Sequence, residues 1–306
     1  MKNTPSTKVA GVSRRDFLKM SGITALSIGG MTVLTACGPS TATSDSSSST
    51  STGSDAASTS TFGEGGKLRV GMEVAYPPYN WQTDEETENT IPVDGLDGAY
   101  ADGIDIYVAK KIAAAFDLEP VAVKLAWSGL IEALNSGTID VIIAGMTPTD
   151  ERRESIDFSD GYFIGTYGLL CKEDSPYASA NSVADLAGAT ILGQKDTLLD
   201  TVIDDFEGVT HMTPVDSVPA QLSHLNQGAC DCITYNTENR ESLIAANPGI
   251  TAISFDGNYT LFPEEVSCNV GLKKGQDDVL AKINEAIADM GATDSTWTEI
   301  IARQPA

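Results

Sequence analysis

The chain has 306 residues, more than one typical domain, and so predicts two lobes once a leader and a low-complexity spacer are set aside. Its formal net charge of −24 at pH 7 argues against nucleic acid as a partner, because an acidic surface repels phosphates. The same charge suits solubility outside the cytoplasm, and it would also attract cationic solutes.

Residues 1–36 have the composition of a targeting segment. Several basic residues precede an uncharged stretch, Met20 to Ala36, that is too short and too rich in glycine for a membrane span. Ser13-Arg14-Arg15-Asp16-Phe17-Leu18-Lys19 resembles a twin-arginine export signal, and Leu34-Thr35-Ala36-Cys37 resembles the lipobox of a lipoprotein. We therefore expect export, cleavage and a lipid anchor on Cys37 at the outer face of the cytoplasmic membrane. The alternative for Cys37 is a free cysteine in a disordered tail.

Residues 37–65 are dominated by serine and threonine. Such a segment cannot bury enough apolar surface to fold, because ordering the backbone costs more than it gains. It is therefore predicted to be a flexible tether.

The next part of the chain alternates between strand and helix patterns. In chain order these are a strand from Leu68 to Tyr76 that ends at the Pro77-Pro78 turn, a helix from an N-cap at Asp105 to Phe116, a strand at 121–125, a helix from an N-cap at Ser128 to Gly137, and an apolar strand at 141–145. The order β-α-β-α-β predicts a parallel sheet with right-handed crossovers.

The same alternation starts again after Tyr162. Strands are predicted at Tyr167–Cys171, Thr190–Gly193, Thr210–Thr213, Cys230–Tyr235, Thr251–Phe255 and Glu265–Leu272, and helices at 198–206, 218–227, 237–246, Asp277–Met290 and Thr296–Arg303. This alternation predicts a second α/β unit.

The strand at 141–145 ends in a segment suited to binding an anion. In parallel sheets, ligands lie beyond the carboxyl ends of the strands, where Thr147 and Arg152 are found here. A guanidinium can hold a carboxylate through two parallel hydrogen bonds. The alternative is a surface arginine paired with Glu151 or Glu154.

Three motifs in this order carry a family resemblance. They are Tyr76-Pro77-Pro78-Tyr79-Asn80-Trp81, the segment from Trp127 to Gly137, and the segment from Thr147 to Ser159. Over residues 66 to 303 the chain resembles polar amino acid-binding proteins of ABC importers, the bacterial extracellular solute-binding proteins of family 3. The resemblance implies an amino acid ligand, a membrane permease as partner, a monomer, and neither cofactor nor metal.

The resemblance also implies a fold. It is an α/β, two-lobed periplasmic-binding-protein-like fold of type II, with two parallel-rich sheets joined by a two-segment hinge. Lobe 1 would hold residues 66–163, with residues 267–306 returning to it, and lobe 2 would hold residues 164–266. Two crossings of this kind allow closure around a ligand by rigid-body rotation.

By its position in the family motif, Arg152 would grip the α-carboxylate of the ligand, assisted by Thr147. Gly145 would offer a carbonyl oxygen to the ammonium group, with Met146 beside it in the same turn. Thr197 would add a helix N-terminus from lobe 2, although an ordinary helix cap is the plainer interpretation.

Tyr76 and Trp127 correspond to the aromatic walls of the family's site, and core packing is the alternative for each. Glu73 lies where many relatives have an acid that meets the distal group of the ligand. That position favours a cationic or amide side chain on the ligand, whereas a solvated glutamate at a strand end is the competing interpretation.

Two positions depart from the family pattern. Asn236 replaces an aspartate that receives the ammonium group, so we expect a weaker acceptor there, or Glu238 as its substitute. Asp196 replaces a glycine next to Thr197 and brings a negative charge towards the predicted carboxylate site. That charge would select a cationic ligand or a different binding pose.

Four cysteines follow Cys37. Cys230 and Cys232 alternate on one predicted strand, so they should share a face and be poorly placed to bridge each other. We expect all four to be small buried apolar side chains, with a Cys171–Cys268 bridge or a metal site as alternatives.

The sequence leaves two other function classes open. One is a sensory surface lipoprotein that uses the same cleft, and the other is an enzyme of the cyclohexadienyl dehydratase kind on the same scaffold. The only histidines, His211 and His224, are expected at solvated positions, and no nucleotide-binding glycine pattern is visible. We therefore expect a binding protein without a catalytic group.

Overall fold

The computed structural model describes residues 61–255, 257–261 and 266–305. The predicted leader, the lipid anchor at Cys37 and the tether up to residue 60 lie outside these residues. No helix in the described part of the chain is long and apolar enough to cross a membrane.

The described residues form fourteen strands and eight α-helices. The strands are β1 (Lys67–Met72), β2 (Ala75–Tyr76), β3 (Asn80–Thr83), β4 (Ile91–Pro92), β5 (Tyr100–Asp102), β6 (Glu119–Lys124), β7 (Val141–Ile142), β8 (Ile156–Gly165), β9 (Tyr167–Lys172), β10 (Thr190–Leu192), β11 (Thr210–His211), β12 (Cys232–Asn236), β13 (Ile250–Ala252) and β14 (Val266–Lys273). The helices are α1 (Ile104–Phe116), α2 (Leu130–Ser136), α3 (Asp150–Ser155), α4 (Leu198–Thr201), α5 (Val218–Gln227), α6 (Arg240–Ala246), α7 (Asp277–Ala288) and α8 (Asp294–Ala302).

The first large sheet has the strand order β6-β1-β7-β14-β8. β1 pairs in parallel with β6 and β7, as the β-α-β-α-β order predicts, and β14 runs antiparallel to β7 and β8. Helices α1 and α2 connect the parallel strands. We call the part of the chain built on this sheet lobe 1.

The second large sheet has the order β11-β10-β12-β9-β13. Its parallel strands β11, β10 and β12 are followed by the antiparallel pairs of β9 with β12 and β13. We call this part lobe 2. The chain enters it where β8 passes into β9 and returns to the first sheet with β14, so the fold is the two-lobed α/β architecture of type II.

A four-stranded antiparallel sheet, β2-β3-β5-β4, lies between β1 and α1 in the chain and was not predicted. Its strands have two to four residues each, too few for a recognisable alternation. The sheet brings Tyr79 and Asn80 into the core of lobe 1, where both are fully or almost fully buried.

Two predicted helix caps are wrong. The residue that caps α1 is Gly103, and Asp105 is fully buried in the first turn, because its carboxylate bonds to groups from other elements. Ser128 belongs to a 3-10 turn, Trp127–Gly129, and α2 begins after Gly129 without a side-chain cap. The helix predicted at 198–206 is likewise shorter, since α4 passes into a 3-10 turn at Val202–Asp205.

The cysteine predictions need one correction. β12 begins at Cys232, so Cys230 precedes the strand, and the two thiols belong to different hydrophobic clusters. Cys171 is buried in lobe 2 and Cys268 in lobe 1, which places the two side chains in separate cores. All four cysteines of the described chain are buried and unbonded.

Candidate ligand-binding cleft

A narrow cleft separates the two lobes, with a cavity volume of about 30 Å³. It lies beyond the carboxyl ends of β1 and β7 in lobe 1 and of β10 and β12 in lobe 2, where α/β sheets usually place a ligand. Lobe 1 lines it with Glu73, Tyr76, Trp127, Ala144, Gly145, Thr147 and Arg152, and lobe 2 with Tyr167, Gln194, Thr197, Leu198, Leu199 and Asn236.

Arg152 is held at the cleft by α3. Thr149 caps this helix and accepts a hydrogen bond of 3.2 Å from the Arg152 backbone N–H. One terminal nitrogen of the guanidinium donates to the carbonyl oxygen of Thr147 at 2.7 Å, and the other donates to that of Asp196 at 2.5 Å, across the cleft. The guanidinium carbon lies 5.2 Å from the centre of the Trp127 ring.

No ion pair found among the described residues includes Arg152, so the predicted alternative of a pair with Glu151 or Glu154 is absent there. Burial lowers the pKa of Arg152, because a charged group loses hydration in the cleft. Among the described residues the half-buried guanidinium donates to neutral carbonyl oxygens alone, and such a group can bind a carboxylate, which would supply the missing counter-charge.

Glu73 follows β1 and is the acidic side chain of the cleft lining. Burial raises its pKa to about 7. The side-chain nitrogen of Gln194 lies 3.3 and 3.4 Å from its two carboxylate oxygens and also donates to the carbonyl oxygen of Asp216 at 3.2 Å. A carboxylate with one weak neutral partner gains most from a cation, which replaces the lost hydration.

Buried polar groups behind the cleft fix the loops that carry Glu73 and Gly145. The carboxylate of Asp105 accepts from the Gly145 N–H at 3.3 Å, from the Tyr162 hydroxyl at 2.6 Å and from the Asn80 amide at 2.8 Å. Asn80 in turn accepts from the N–H of Val74, the residue after Glu73, at 2.8 Å. Burial raises the pKa of Asp105 to about 7.

Gly145 has a left-handed backbone with φ of +63°, and a Cβ there would lie 3.2 Å from the Tyr79 ring. Tyr79 stacks against Tyr76, with ring centroids 5.0 Å apart and planes at 15°. A glycine is therefore required for this turn to approach the aromatic wall of the cleft.

Asn236 links both tyrosines to lobe 2. Its amide oxygen accepts a hydrogen bond from the Tyr76 hydroxyl, and its amide nitrogen donates to the Tyr79 hydroxyl at 3.0 Å. An amide oxygen has a second lone pair, so it can still accept from a ligand.

Glu238 does not line the cleft. Its carboxylate accepts from the Thr166 N–H at 2.6 Å, at the point where β8 passes into β9, and it lies 3.5 Å from the Tyr79 hydroxyl. Burial raises its pKa. The structure thus places Glu238 behind the tyrosines, so it does not replace the missing aspartate by direct contact.

Three other predicted residues differ in their placement. Thr197 lines the cleft and also caps α4, with its hydroxyl accepting from the Asp200 N–H at 3.2 Å. Met146 is 1% exposed and packs into the core of lobe 1, at the edge of a neighbouring groove. Asp196 is exposed and lines the same groove, and it contributes its carbonyl oxygen to Arg152 and to the Trp127 indole, the latter at 3.1 Å.

Sequence reasoning missed Gln194, Tyr167 and Asp105 as residues of the site. A signal existed for Gln194, because it follows β10 as Glu73 follows β1, and parallel strands place such residues at the ligand. Asp105 matches the pattern of a helix N-cap, which hides its role behind the cleft. We find no local pattern that would have marked Tyr167, whose hydroxyl lies 3.5 Å from that of Thr147.

The described lining of the cleft includes no histidine. His211, expected at a solvated position, lies between Asp200 and Asp204, with 2.7 Å from a ring nitrogen to each carboxylate. Among the described residues, no group of three or more histidine, cysteine or acidic side chains could hold a metal ion.

Residues 68–303 match the family described as bacterial extracellular solute-binding proteins, family 3. The L-cystine-binding protein TcyJ of Escherichia coli (strain K12) is 28% identical over 228 residues, covering 74% of this chain and 78% of that protein. The L-arginine-binding protein of Pseudomonas aeruginosa is 26% identical over 239 residues, covering 75% of this chain and 85% of its own length.

Solved structures agree with this match. An ancestral arginine-binding protein bound to arginine superposes with a TM-score of 0.61 at 28% identity, over 78% of this chain and 97% of the other. Holo ArgBP from T. maritima superposes with a TM-score of 0.62 at 25% identity, over 76% of this chain and 93% of the other.

Proposed function

The chain belongs to the bacterial extracellular solute-binding proteins, family 3, and we propose that it captures a cationic amino acid between its two lobes and delivers it to an ABC importer. The observation that carries the proposal is the pair of opposite charges in one cleft, Arg152 and Glu73, neither of which has an ionic partner among the described residues. A ligand with a carboxylate at one end and a cation at the other would satisfy both.

The carboxylate end of the ligand would bind to Arg152. The guanidinium donates to two backbone carbonyl oxygens, and a carboxylate is a stronger acceptor than either. Thr147 and the N-terminus of α4, at Thr197, supply further donors beside it.

The cationic end would bind to Glu73. The α-ammonium group would meet the neutral oxygen of Asn236 and the backbone of Gly145, which leaves the carboxylate of Glu73 for a second positive charge on the ligand side chain. Relatives named as L-arginine-binding and as probable histidine-binding proteins support this class, although others are named for L-cystine and glutamine.

Lipid attachment at Cys37 and a tether through residue 65 would keep a monomeric protein near its permease. The signal-like sequences before Cys37 support this part of the proposal. Labelling cells with a radioactive fatty acid tests it, because Cys37→Ala should remove the label.

Isothermal titration of the full chain with L-arginine, L-histidine, L-glutamine and L-cystine tests the function. We expect a basic amino acid to bind most tightly, and Glu73→Gln to weaken it about tenfold more than it weakens L-glutamine, since only the basic ligand loses an ionic partner. Equal losses for all ligands would contradict the cationic class. Absence of binding by every member of the panel would contradict amino acid capture itself.

A further inference from the structure

Two cysteines of lobe 2 lie directly opposite each other. Cys171 on β9 and Cys232 on β12 are register partners in an antiparallel pair, and these two strands are neighbours in the interior of the second sheet. Partner residues of this kind are either hydrogen-bonded or non-hydrogen-bonded pairs, which alternate along the ladder, and the second kind brings the side chains closer together.

The hydrogen bonds beside the pair show which kind it is. The N–H of Thr237 donates to the carbonyl oxygen of Thr166 at 2.9 Å, so the pair Thr237–Thr166, one position beyond the end of β12, is hydrogen-bonded. Alternation along the ladder then makes Cys232–Cys171, five positions away, a non-hydrogen-bonded pair.

The other edge of β9 leads to the same result. The N–H of Ile253 donates to the carbonyl oxygen of Leu169, so Leu169 turns its peptide groups towards β13. The peptide groups of Cys171, two residues further along β9, therefore also point towards β13 and away from β12. In a non-hydrogen-bonded pair the Cα atoms are about 4.5 Å apart, which lies inside the range of about 4.4–6.8 Å found in disulfides.

The environment separates this pair from the other thiols. Cys171 and Cys232 belong to one hydrophobic cluster on one face of the sheet, and both are 0% exposed. Cys230 packs into the cluster on the opposite face, and Cys268 lies in the core of lobe 1.

We propose that Cys171 and Cys232 form a cross-strand disulfide in an oxidising compartment. The oxidant would be a thiol–disulfide exchange partner, which extracytoplasmic compartments supply. One cysteine thiolate attacks the partner's S–S bond and releases one partner thiolate. The second cysteine then attacks the mixed disulfide and releases the other, so two protons and two electrons leave the pair and the oxidant becomes a dithiol.

The timing follows from burial. In the folded state, burial raises the pKa of Cys171 to about 11 and raises that of Cys232 further, so neither is a thiolate at neutral pH. In a refolding experiment the bond should therefore form as β9 and β12 pair. In a chain that is exported already folded it should form more slowly, through local opening of these two strands, and folded reduced protein should likewise react slowly with an added disulfide.

Peptide mapping tests the proposal directly. The full chain is unfolded with reductant, refolded in oxidised and reduced glutathione, alkylated and digested without reductant. We expect the Cys171 and Cys232 peptides to be joined, at a mass two hydrogens below their sum. Cys230→Ala should leave this link intact, while Cys232→Ala should leave Cys171 alkylated.

A melting experiment gives a second readout. The loop closed by this bond would hold roughly 60 residues, so reductant should lower the Tm of the oxidised protein by about 10 °C. That shift should persist in Cys230→Ala. Recovery of Cys171 and Cys232 as separately alkylated residues, or of either one joined to Cys230 or Cys268, would overturn the proposal.

Discussion

The two lobes face the cleft with different chemistry. Lobe 1 contributes both charged side chains of the lining, Arg152 and Glu73, whereas the lobe 2 side chains of the lining, such as Gln194 and Asn236, are uncharged. Within the described part of lobe 2, the hydrogen bond that Arg152 makes is to a backbone carbonyl oxygen, that of Asp196. Lobe 1 is therefore suited to select a ligand by charge, and lobe 2 to close over it with neutral hydrogen-bonding groups.

Substitution of the lobe 1 arginine should have the largest effect on ligand binding. Arg152→Ala should weaken amino acid binding by roughly 2–5 kcal/mol, because the ligand carboxylate loses its charged donor in a partly desolvated cleft. Isothermal titration measures the loss. Arg153→Ala is a matched control, since this exposed neighbour in α3 contacts the Phe158 ring instead of the cleft. Unchanged binding by Arg152→Ala would contradict the claim that lobe 1 selects the ligand through the charge of Arg152.

The second prediction concerns the other charge of lobe 1. The pKa of Glu73 is raised from 4.5 to about 7, so between these pH values the folded protein binds more protons than the unfolded chain. The free energy of unfolding should therefore fall as pH rises through this window. Glutamine does not titrate, so Glu73→Gln should abolish this pH-dependent fall. The variant should have a free energy of unfolding higher than that of the wild-type protein by roughly 1–3 kcal/mol at pH 8, and the difference should be much smaller at pH 4.5.

Urea denaturation at several pH values checks this prediction. Asp105 has a raised pKa in the same range, but it is present in both proteins, so the difference between them isolates Glu73. A variant that is less stable than the wild-type protein at pH 8 would show that the ionised carboxylate is already well compensated.

The third prediction adds a charge to lobe 2. Asn236→Asp should tighten amino acid binding by about 1 kcal/mol, since a charged acceptor holds an ammonium group more strongly than an amide does. The unliganded protein should be less stable, because the new carboxylate is buried and cannot donate to Tyr79. Asn258→Asp adds the same charge at an exposed position and should leave affinity unchanged. Weaker binding by Asn236→Asp would place the ammonium group elsewhere.

The smallest expected effect concerns a neutral contact between the lobes. Trp127→Phe keeps a ring near Arg152 but removes the indole N–H that donates to the Asp196 carbonyl oxygen. Ligand affinity should fall by about 0.5–1.5 kcal/mol, the usual net value of one hydrogen bond. Trp297→Phe, on α8, should not change the titration. A loss as large as that of Arg152→Ala would mean that closure, rather than charge, dominates affinity.

The parallel part of each sheet could be predicted from sequence because its signals are local. Apolar runs such as Val141–Gly145 and the helices between them mark buried strands and crossovers. The return of β14 to the first sheet came only from family resemblance, since strand periodicity does not specify a distant partner.

Residues of the site were likewise predictable where their sequence signal is local, and not where their role depends on distant parts of the chain. Arg152 and Tyr76 stand in recognisable motifs, but the role of Asp105 depends on Asn80 and Tyr162, which come from distant parts of the chain. A local rule therefore assigned it as a cap. Asp196 shows a related limit, because the sequence indicates its charge, whereas the structure uses its carbonyl oxygen.

One titration tests the central claim, that Arg152 recognises the α-carboxylate. L-arginine and L-histidine are each compared with the amine that lacks this group, agmatine and histamine, on the wild-type protein and on Arg152→Ala. We predict that the wild-type protein prefers the better-bound amino acid over its amine by at least about 30-fold, and that Arg152→Ala loses this preference. A variant that keeps the preference, or a wild-type protein that binds the amine equally well, would contradict the account.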